Sequence, residues 1–476
     1  MIAYHRSLVH GCYEVQQIAA QITTRRSVQI FARKALALGI VNALLDGLVN
    51  LLHPSRFRED VTLNPAMQKL LGIHRHAVPR YAFRQAYRSR GAHASTASTL
   101  RNYRIATSLT LALLVSPTLA FAHHDDIPDP PPRSVSDRLA PIGNIDRSAI
   151  TVSGLSSGGF FAHQFHVAFS SVVNGAGIIA GGPFGCVENV PNPYWMFWPL
   201  DRVSAATIAC THYYGTRYFG LRPSPPKAES SVSFIREARQ RRVIDDPTNL
   251  ADDRVWLFHG ELDEIVPEDV ASTVEQVYRT FGVRELHADR NLQGRAASHG
   301  MPVARMGRSK FPVRECDEHE PPFIVQCGFE AAELLLRHLY PESFQPASDD
   351  PHQDGTLLAF DQAEFFDAGE RAISLARVGY AYVPASCAVE RCRLHVAFHG
   401  CKQDLASVHD DFIRDAAYNR WAASNAIVVL YPQATASSLN PNACWDFWGY
   451  TGPGYYGQEG TQMRAVKAMV DRILGP

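Results

Sequence analysis

Gly154-Leu155-Ser156-Ser157-Gly158-Gly159 is the most informative part of the chain, and it contains the pattern G-x-S-x-G. The β-branched residues before it (149–152, AITV) predict a strand, and the residues after it (160–169, FFAHQFHVAF) can continue as a helix. A strand, a tight turn between glycines and a helix form the context of a nucleophile elbow. The pattern predicts that the Ser156 hydroxyl stands above a sheet, where a helix N-terminus favours developing negative charge.

A carboxylate that could serve such a serine follows the next strongly apolar run. Residues 255–267 read VWLFHGELDEIVP, a strand that ends in glycine with Asp263 in the loop beyond it. This position predicts a carboxylate at the C-terminal edge of the sheet, where it could hold an imidazole in one tautomer. We interpret His259 as structural. Four nearby carboxylates remain alternatives to Asp263: Glu261, Glu264, Glu268 and Asp269.

The base that completes the set is predicted to be His299. It stands in Ala296-Ala297-Ser298-His299-Gly300-Met301-Pro302, where small residues, glycine and proline indicate a loop. A single histidine among 20 carries little information. Its order after Ser156 and Asp263 is that of an α/β-hydrolase triad.

The oxyanion hole needs two backbone N–H donors, and the residue after the nucleophile, Ser157, supplies the first. The second usually comes from a strand followed by His-Gly before the nucleophile, but here that form occurs late, at residues 394–401 (LHVAFHGC). The strands predicted at 356–360 and 378–384 also read like the opening strands of an α/β-hydrolase, yet they follow the triad. The order of elements is therefore rotated.

With these residues the chain resembles the poly(3-hydroxybutyrate) depolymerases whose catalytic domain is circularly permuted. The resemblance covers roughly residues 140–476. It is carried by the segments already quoted and by Ala180-Gly181-Gly182-Pro183, residues 392–401 and residues 440–450 (NPNACWDFWGY). The resemblance implies an α/β class, with a circularly permuted α/β-hydrolase fold and a mostly parallel central sheet with helices on both faces.

The resemblance also implies roles for individual residues. Ser156 is the expected nucleophile, Asp263 and His299 are its partners, and the N–H groups of Ser157 and Cys401 form the oxyanion hole. Aromatic residues suit a water-insoluble polyester because they offer rigid apolar area. Trp445 is expected in the wall of the substrate cleft, and Phe447 and Trp448 are candidates for further substrate contacts or for scaffold. Extracellular members often carry a linker and a polymer-binding domain; the chain ends at Pro476, so we expect inefficient attack on crystalline polymer.

Charge and composition agree with a globular exported enzyme. Hydrophobic residues make up 46% of the chain and charged residues 20%. Residues 1–122 hold 15 Lys and Arg against 4 Asp and Glu, whereas the remainder holds 31 against 43. The acidic main part offers no basic patch for nucleic acid.

Residues 101–122 have the features of a signal peptide: a basic start, a short apolar stretch and an A-x-A site before His123. We therefore expect a single catalytic domain at 123–476, secreted to the periplasm or outside the cell, and an upstream segment 1–100 that is not part of the natural product. The alternative is a genuine cytoplasmic extension, with 105–119 as a membrane anchor.

Cysteine usage supports export, because eight of the nine cysteines follow residue 122. Sequence proximity favours four disulfides: Cys186–Cys210, Cys316–Cys327, Cys387–Cys392 and Cys401–Cys444. The alternative is free buried thiols.

The sequence thus predicts a serine esterase that cleaves polyester or oligoester, acts as a monomer and needs no metal or organic cofactor. We expect no nucleic-acid partner and no stable membrane anchor once the signal peptide is removed. A feruloyl or acetyl-xylan esterase would use the same triad, and a non-catalytic surface-binding module could keep the same scaffold. These two alternatives stay open.

Overall fold

The computed structural model describes residues 138–189, 202–211, 225–292, 294, 296–307, 309–342, 344–367 and 373–476. All of them belong to one unit of the chain, Ala120–Pro476. The predicted signal peptide and the upstream segment 1–100 lie outside the described residues. No helix in the described part is long and apolar enough to cross a membrane.

A mixed sheet of eight strands organises the described residues. The strands of the chain are β1 (Ile145–Leu155), β2 (Gly175–Ile179), β3 (Arg254–Phe258), β4 (Glu285–Asp289), β5 (Met301–Val303), β6 (Ile324–Gln326), β7 (Gly355–Asp361), β8 (Val378–Pro384), β9 (Cys392–Phe398) and β10 (Ile427–Tyr431). The large sheet has the order β4-β3-β2-β1-β9-β10-β8-β7, and β5 pairs with β6 separately. The six neighbouring strands β4, β3, β2, β1, β9 and β10 run parallel. The strand β8 pairs antiparallel with β10, and β7 pairs antiparallel with β8.

Chain order and spatial order differ in the way that a permuted fold requires. The strand β9 lies beside β1, with Val152 paired to Val396 and Gly154 to Phe398. The predicted opening strands 356–360 and 378–384 are β7 and β8, at the sheet edge beyond β10. Residues late in the chain thus stand next to the strand that leads into Ser156, and the predicted fold class is confirmed.

Helices cover both faces of the sheet. They are α1 (Ser157–Ala168), α2 (Arg202–Ala205), α3 (Ala228–Gln240), α4 (Glu268–Thr280), α5 (Ala331–Leu339), α6 (Leu405–Val408), α7 (Asp411–Asp415), α8 (Tyr418–Ser424) and α9 (Thr461–Leu474), with short 3₁₀ or π turns at Cys186–Glu188, Ala206–Cys210, Pro247–Asp252, Gln362–Phe365 and Ala385–Ala388. Two apolar clusters form, one with α1, α3, α4 and α9 and one with α5, α7 and α8. Alternate residues of β9 enter different clusters, Val396 the first and Ala397 the second, as the pleat of a strand requires.

The helix α1 is the most deeply enclosed of the described helices, because all twelve of its residues are buried. It packs on β1, β2 and β9 directly below the turn that carries Ser156. A buried helix cannot shift without opening the core, so it gives the turn a rigid base.

Four disulfides connect described residues: Cys186–Cys210, Cys316–Cys327, Cys387–Cys392 and Cys401–Cys444. All four pairings match those that sequence proximity favours. Three of them close short loops, whereas Cys401–Cys444 joins the turn after β9 to the aromatic segment that begins at Trp445.

Candidate active site

The turn between β1 and α1 has the geometry of a nucleophile elbow. Ser156 adopts φ 56° and ψ −122°, a strained conformation for a residue with a side chain. Its N–H donates to the carbonyl of Ile179 at 2.9 Å, and its hydroxyl does not cap the helix that follows. The hydroxyl of Ser156 therefore lies at the N-terminus of α1 without capping the helix.

The glycines of the motif are required by contact distances. A Cβ at Gly154 would lie 2.2 Å from the carbonyl oxygen of Gly158. A Cβ at Gly158 would lie 2.4 Å from the carbonyl oxygen of His399. The turn can therefore close against the end of β9 only if both positions lack a side chain.

Asp263 and His299 form a buried hydrogen-bonded pair. Oδ2 of Asp263 accepts from Nδ1 of His299 at 2.8 Å, and Oδ1 accepts from the N–H groups of Ile265 (2.8 Å) and Val266 (2.9 Å). Burial raises the pKa of Asp263, but the charge and hydrogen bond of His299, with smaller contributions from His259 and Val266, bring that pKa below its usual value. An ionised carboxylate holds the proton on Nδ1, so Nε2 is left as the basic nitrogen.

Two of the four alternative carboxylates are engaged elsewhere. Glu261 accepts from Asn291, and Glu268 pairs with Arg290 at the surface. His259 is buried, and its Nε2 lies 2.7 Å from the carbonyl oxygen of Val266, in agreement with a structural role.

The register of the sheet brings the elbow and the acid loop to one edge. Leu155, Ile179 and Phe258 are successive partners across β1, β2 and β3. Ser156 directly follows the first of these residues, and the loop with Asp263 begins after the last. Neighbouring strands lie about 4.8 Å apart, so the two loops leave the sheet roughly 10 Å from each other.

The predicted oxyanion donors flank the same elbow. Ser157 is the first residue of α1, and Cys401 lies two residues after His399, in the turn that follows β9. A Cβ at Gly400 would lie 3.4 Å from Cβ of Ser156, so this turn rests against the nucleophile. No acceptor contacts the N–H of Cys401 among the described residues.

The aromatic segment is placed differently from the expectation. Trp445 is 0% exposed, with its ring 4.8 Å from Phe161 and 5.0 Å from Phe398. Its burial within the core below the elbow does not support a place in the cleft wall. Phe447 is also buried and stacks on a ring of α1, whereas Trp448 is half-buried and keeps some accessible area.

Two polar residues that sequence reasoning missed organise these loops. The carboxylate of Asp446 accepts from the N–H groups of residues 448–451 and from the hydroxyl of Thr451. Gln403 is buried and bonds the N–H of Gly400 at 2.7 Å. An aspartate just before a glycine-containing turn was the available signal for the first, because such carboxylates bind nearby N–H groups.

The described residues contain no group of three or more His, Cys, Asp or Glu side chains arranged to hold a metal ion. The functional groups at this edge of the sheet are a hydroxyl, an imidazole–carboxylate pair and backbone N–H donors. Such a set suits acyl transfer through a serine nucleophile.

Comparison with known proteins shows what this chain is similar to. Residues 378–474 match the profile described as Esterase PHB depolymerase. The chain is 35% identical over 338 residues to a poly(3-hydroxybutyrate) depolymerase of Delftia acidovorans, covering 70% of this chain and 61% of that relative. It is 29% identical over 354 residues to a polyhydroxybutyrate depolymerase of Talaromyces funiculosus, covering 71% of this chain and 94% of the relative.

Two solved structures agree with the sequence relatives. One is a PHB depolymerase complexed with an R3HB trimer (TM-score 0.59, 27% identity). The match covers 71% of this chain and 98% of the solved chain. The other is the PHB depolymerase from Penicillium funiculosum (TM-score 0.58, 28% identity), with 71% and 99% covered. The resemblance to the PHB depolymerases seen in the sequence is thus confirmed, and the chain spans 61% of the length of the Delftia relative.

Proposed function

We propose that this chain is a secreted serine esterase that hydrolyses poly(3-hydroxybutyrate) or related short-chain hydroxyalkanoate polymers and oligomers. The observation that carries the proposal is the 2.8 Å hydrogen bond between His299 and Asp263 at the sheet edge where the Ser156 elbow stands. Support for the substrate class comes from the relatives, which are named as depolymerases of this polyester.

In the first half of the reaction Ser156 Oγ attacks the ester carbonyl carbon while His299 Nε2 takes the hydroxyl proton. The carbonyl π electrons move to its oxygen, which the N–H groups of Ser157 and Cys401 stabilise. The C–O ester bond then breaks, and the leaving alkoxide takes the proton from His299. The product is an acyl-enzyme and a polymer fragment with a free hydroxyl end.

In the second half water attacks the acyl carbon and gives its proton to His299. The tetrahedral species collapses, the bond to Ser156 breaks, and the serine oxygen recovers the proton. Asp263 stays ionised throughout and stabilises the imidazolium in each half.

Secretion and domain limits belong to the same proposal. Four disulfides among the described residues favour an oxidising compartment. From the A-x-A site before His123 we expect a mature enzyme that begins near that residue. Sequencing the N-terminus of exported protein tests this limit. Recovery of exported protein that still carries residues 1–100 would contradict it.

The decisive test measures acid release by the full chain from poly(3-hydroxybutyrate) granules, soluble hydroxybutyrate oligomers and methyl ferulate, with Ser156→Ala as control. We expect hydroxybutyrate release by the wild type only. Faster cleavage of the ferulate with no hydroxybutyrate release would favour a carbohydrate esterase. Polymer binding by both proteins without cleavage of any ester would favour a non-catalytic module.

A further inference from the structure

The peptide between Gly400 and Cys401 is held from its carbonyl side. The carbonyl oxygen of Gly400 lies 2.7 Å from Nδ1 of His399 and accepts the N–H of Gln403 at 3.3 Å. In a trans peptide the C=O and N–H groups point in opposite directions. Two donors on the carbonyl therefore turn the Cys401 N–H away from both of them.

The second nitrogen of His399 determines which ring nitrogen carries the proton. The N–H of Ala434 donates to Nε2 of His399 at 3.1 Å, so Nε2 must be unprotonated. Nδ1 then carries the proton and donates it to the Gly400 carbonyl. The ring is 0% exposed, and burial lowers the pKa of His399, so the neutral tautomer persists.

The other N–H of the turn is already occupied. Gly400 N–H donates to Oε1 of Gln403, whose Nε2 donates to the carbonyl of Pro322 at 2.9 Å. The Cys401 N–H, in contrast, has no acceptor among the described residues. The turn thus leaves one N–H available beside Ser156.

We propose that His399 is a positioning residue, which orients the Gly400–Cys401 peptide so that the Cys401 N–H faces the carbonyl oxygen of an ester bound at Ser156. This inference rests on the proposed serine esterase function. His399 touches neither substrate nor reacting atoms. It acts by orienting one peptide plane, so losing this orientation should weaken binding of the transition state.

Two substitutions separate the hydrogen bonds of His399. In His399→Asn the amide nitrogen can replace Nδ1 as donor to Gly400, but the acceptor for Ala434 is lost. In His399→Gln the amide oxygen can replace Nε2 as acceptor for Ala434, but the donor to Gly400 is lost. The proposal predicts that donor loss lowers kcat and that acceptor loss lowers mainly thermal stability.

A histidine on the same strand provides the matched control. His395 is 0% exposed and bonds the hydroxyls of Thr151 and Ser153, both at 2.7 Å, without contacting the oxyanion turn. We expect His395→Gln to lower Tm and leave kcat within about threefold, as for mutations outside the site.

The experiment measures kcat, KM and Tm of the full-length variants on p-nitrophenyl butyrate. Removing an oxyanion donor costs about 10²–10³ in kcat, so we expect about 10- to 100-fold loss for the misaligned donor in His399→Gln, with KM nearly unchanged. His399→Asn should keep kcat within about fivefold on the same reasoning. Wild-type kcat in His399→Gln, or equal losses in both variants, would overturn the proposal.

A second measurement decides the matter if the wild type cleaves no ester, which would refute the esterase function. The ¹⁵N shifts of the His399 ring, assigned by comparison with His399→Asn, report the tautomer without any substrate. A proton on Nδ1 supports the proposed orientation. A proton on Nε2 overturns it.

Discussion

Replacing Asp263 by Asn is the sharpest test of the acid–base pair, because the hydrogen bonds predict how the new amide orients. Oδ1 of Asp263 accepts two backbone N–H groups, from Ile265 and Val266, and Oδ2 accepts from His299. The Asn oxygen must stay on the backbone side, since its NH₂ would otherwise face two donors. The NH₂ group then points at His299 Nδ1.

This orientation reverses the histidine tautomer. Nδ1 of His299 must become an acceptor, so the proton moves to Nε2, and in the proposed triad this nitrogen can then no longer take the proton of Ser156. The same change in a serine protease triad lowers kcat about 10⁴-fold, which corresponds to about 5 kcal/mol of transition-state stabilisation. We expect a loss of that size, while the two backbone bonds keep the loop in place.

The assay is single-substrate kinetics on p-nitrophenyl butyrate at pH 8, with circular dichroism and thermal melts to verify folding. Glu264→Gln is the matched control, because Glu264 lies in the same loop, is exposed and is one of the alternative acids. It should keep kcat within about twofold, as expected of a surface substitution.

Two results would refute the reasoning. Asp263→Asn with kcat within tenfold of the wild type would remove Asp263 from the triad. A larger loss of kcat in Glu264→Gln than in Asp263→Asn would show that the acid had been assigned to the wrong side chain.

Three further predictions follow from the same geometry. Ser156→Ala should lower kcat by about 10⁶-fold with its melting curve nearly unchanged, whereas Ser157→Ala should stay active because alanine keeps the N–H; the reverse pattern in ester kinetics would exchange their roles. The double variant Cys401→Ala, Cys444→Ala opens a loop with a sequence separation of 43, so urea unfolding should show about 4 kcal/mol less stability. Its kcat should fall far less than that of Ser156→Ala, and equal inactivity in a folded protein would reveal a catalytic role for the disulfide. Because the pKa of Asp263 is depressed in the folded state, its ionisation stabilises the fold above about pH 4, and this contribution disappears as the pH falls through the folded pKa. The stability difference between wild type and Asp263→Asn in urea should therefore shrink from pH 6 to pH 3, and a growing difference would contradict the sign of the shift.

Features that depend on near neighbours along the chain could be predicted from the sequence. The elbow at 154–159 is one, because a β-branched strand, two glycines and a helix-forming run act within a few residues. The helix predicted after it could likewise be read from the sequence. The disulfides that close short loops could be paired by proximity, since the ends of a short loop meet most readily.

Contacts between residues far apart in the chain became visible only in the folded protein. Trp445 reads as a cleft residue in a glycine-rich segment, yet it packs between α1 and β9 and is fully buried. The tautomer of His399 depends on a hydrogen bond from Ala434, which is 35 residues away in the chain. The orientation of the Asp446 side chain depends on how the loop that follows it folds around the carboxylate. Burial and hydrogen bonding are properties of contacts between elements, and local residue patterns carry no information about the partner until the sheet order brings it into place.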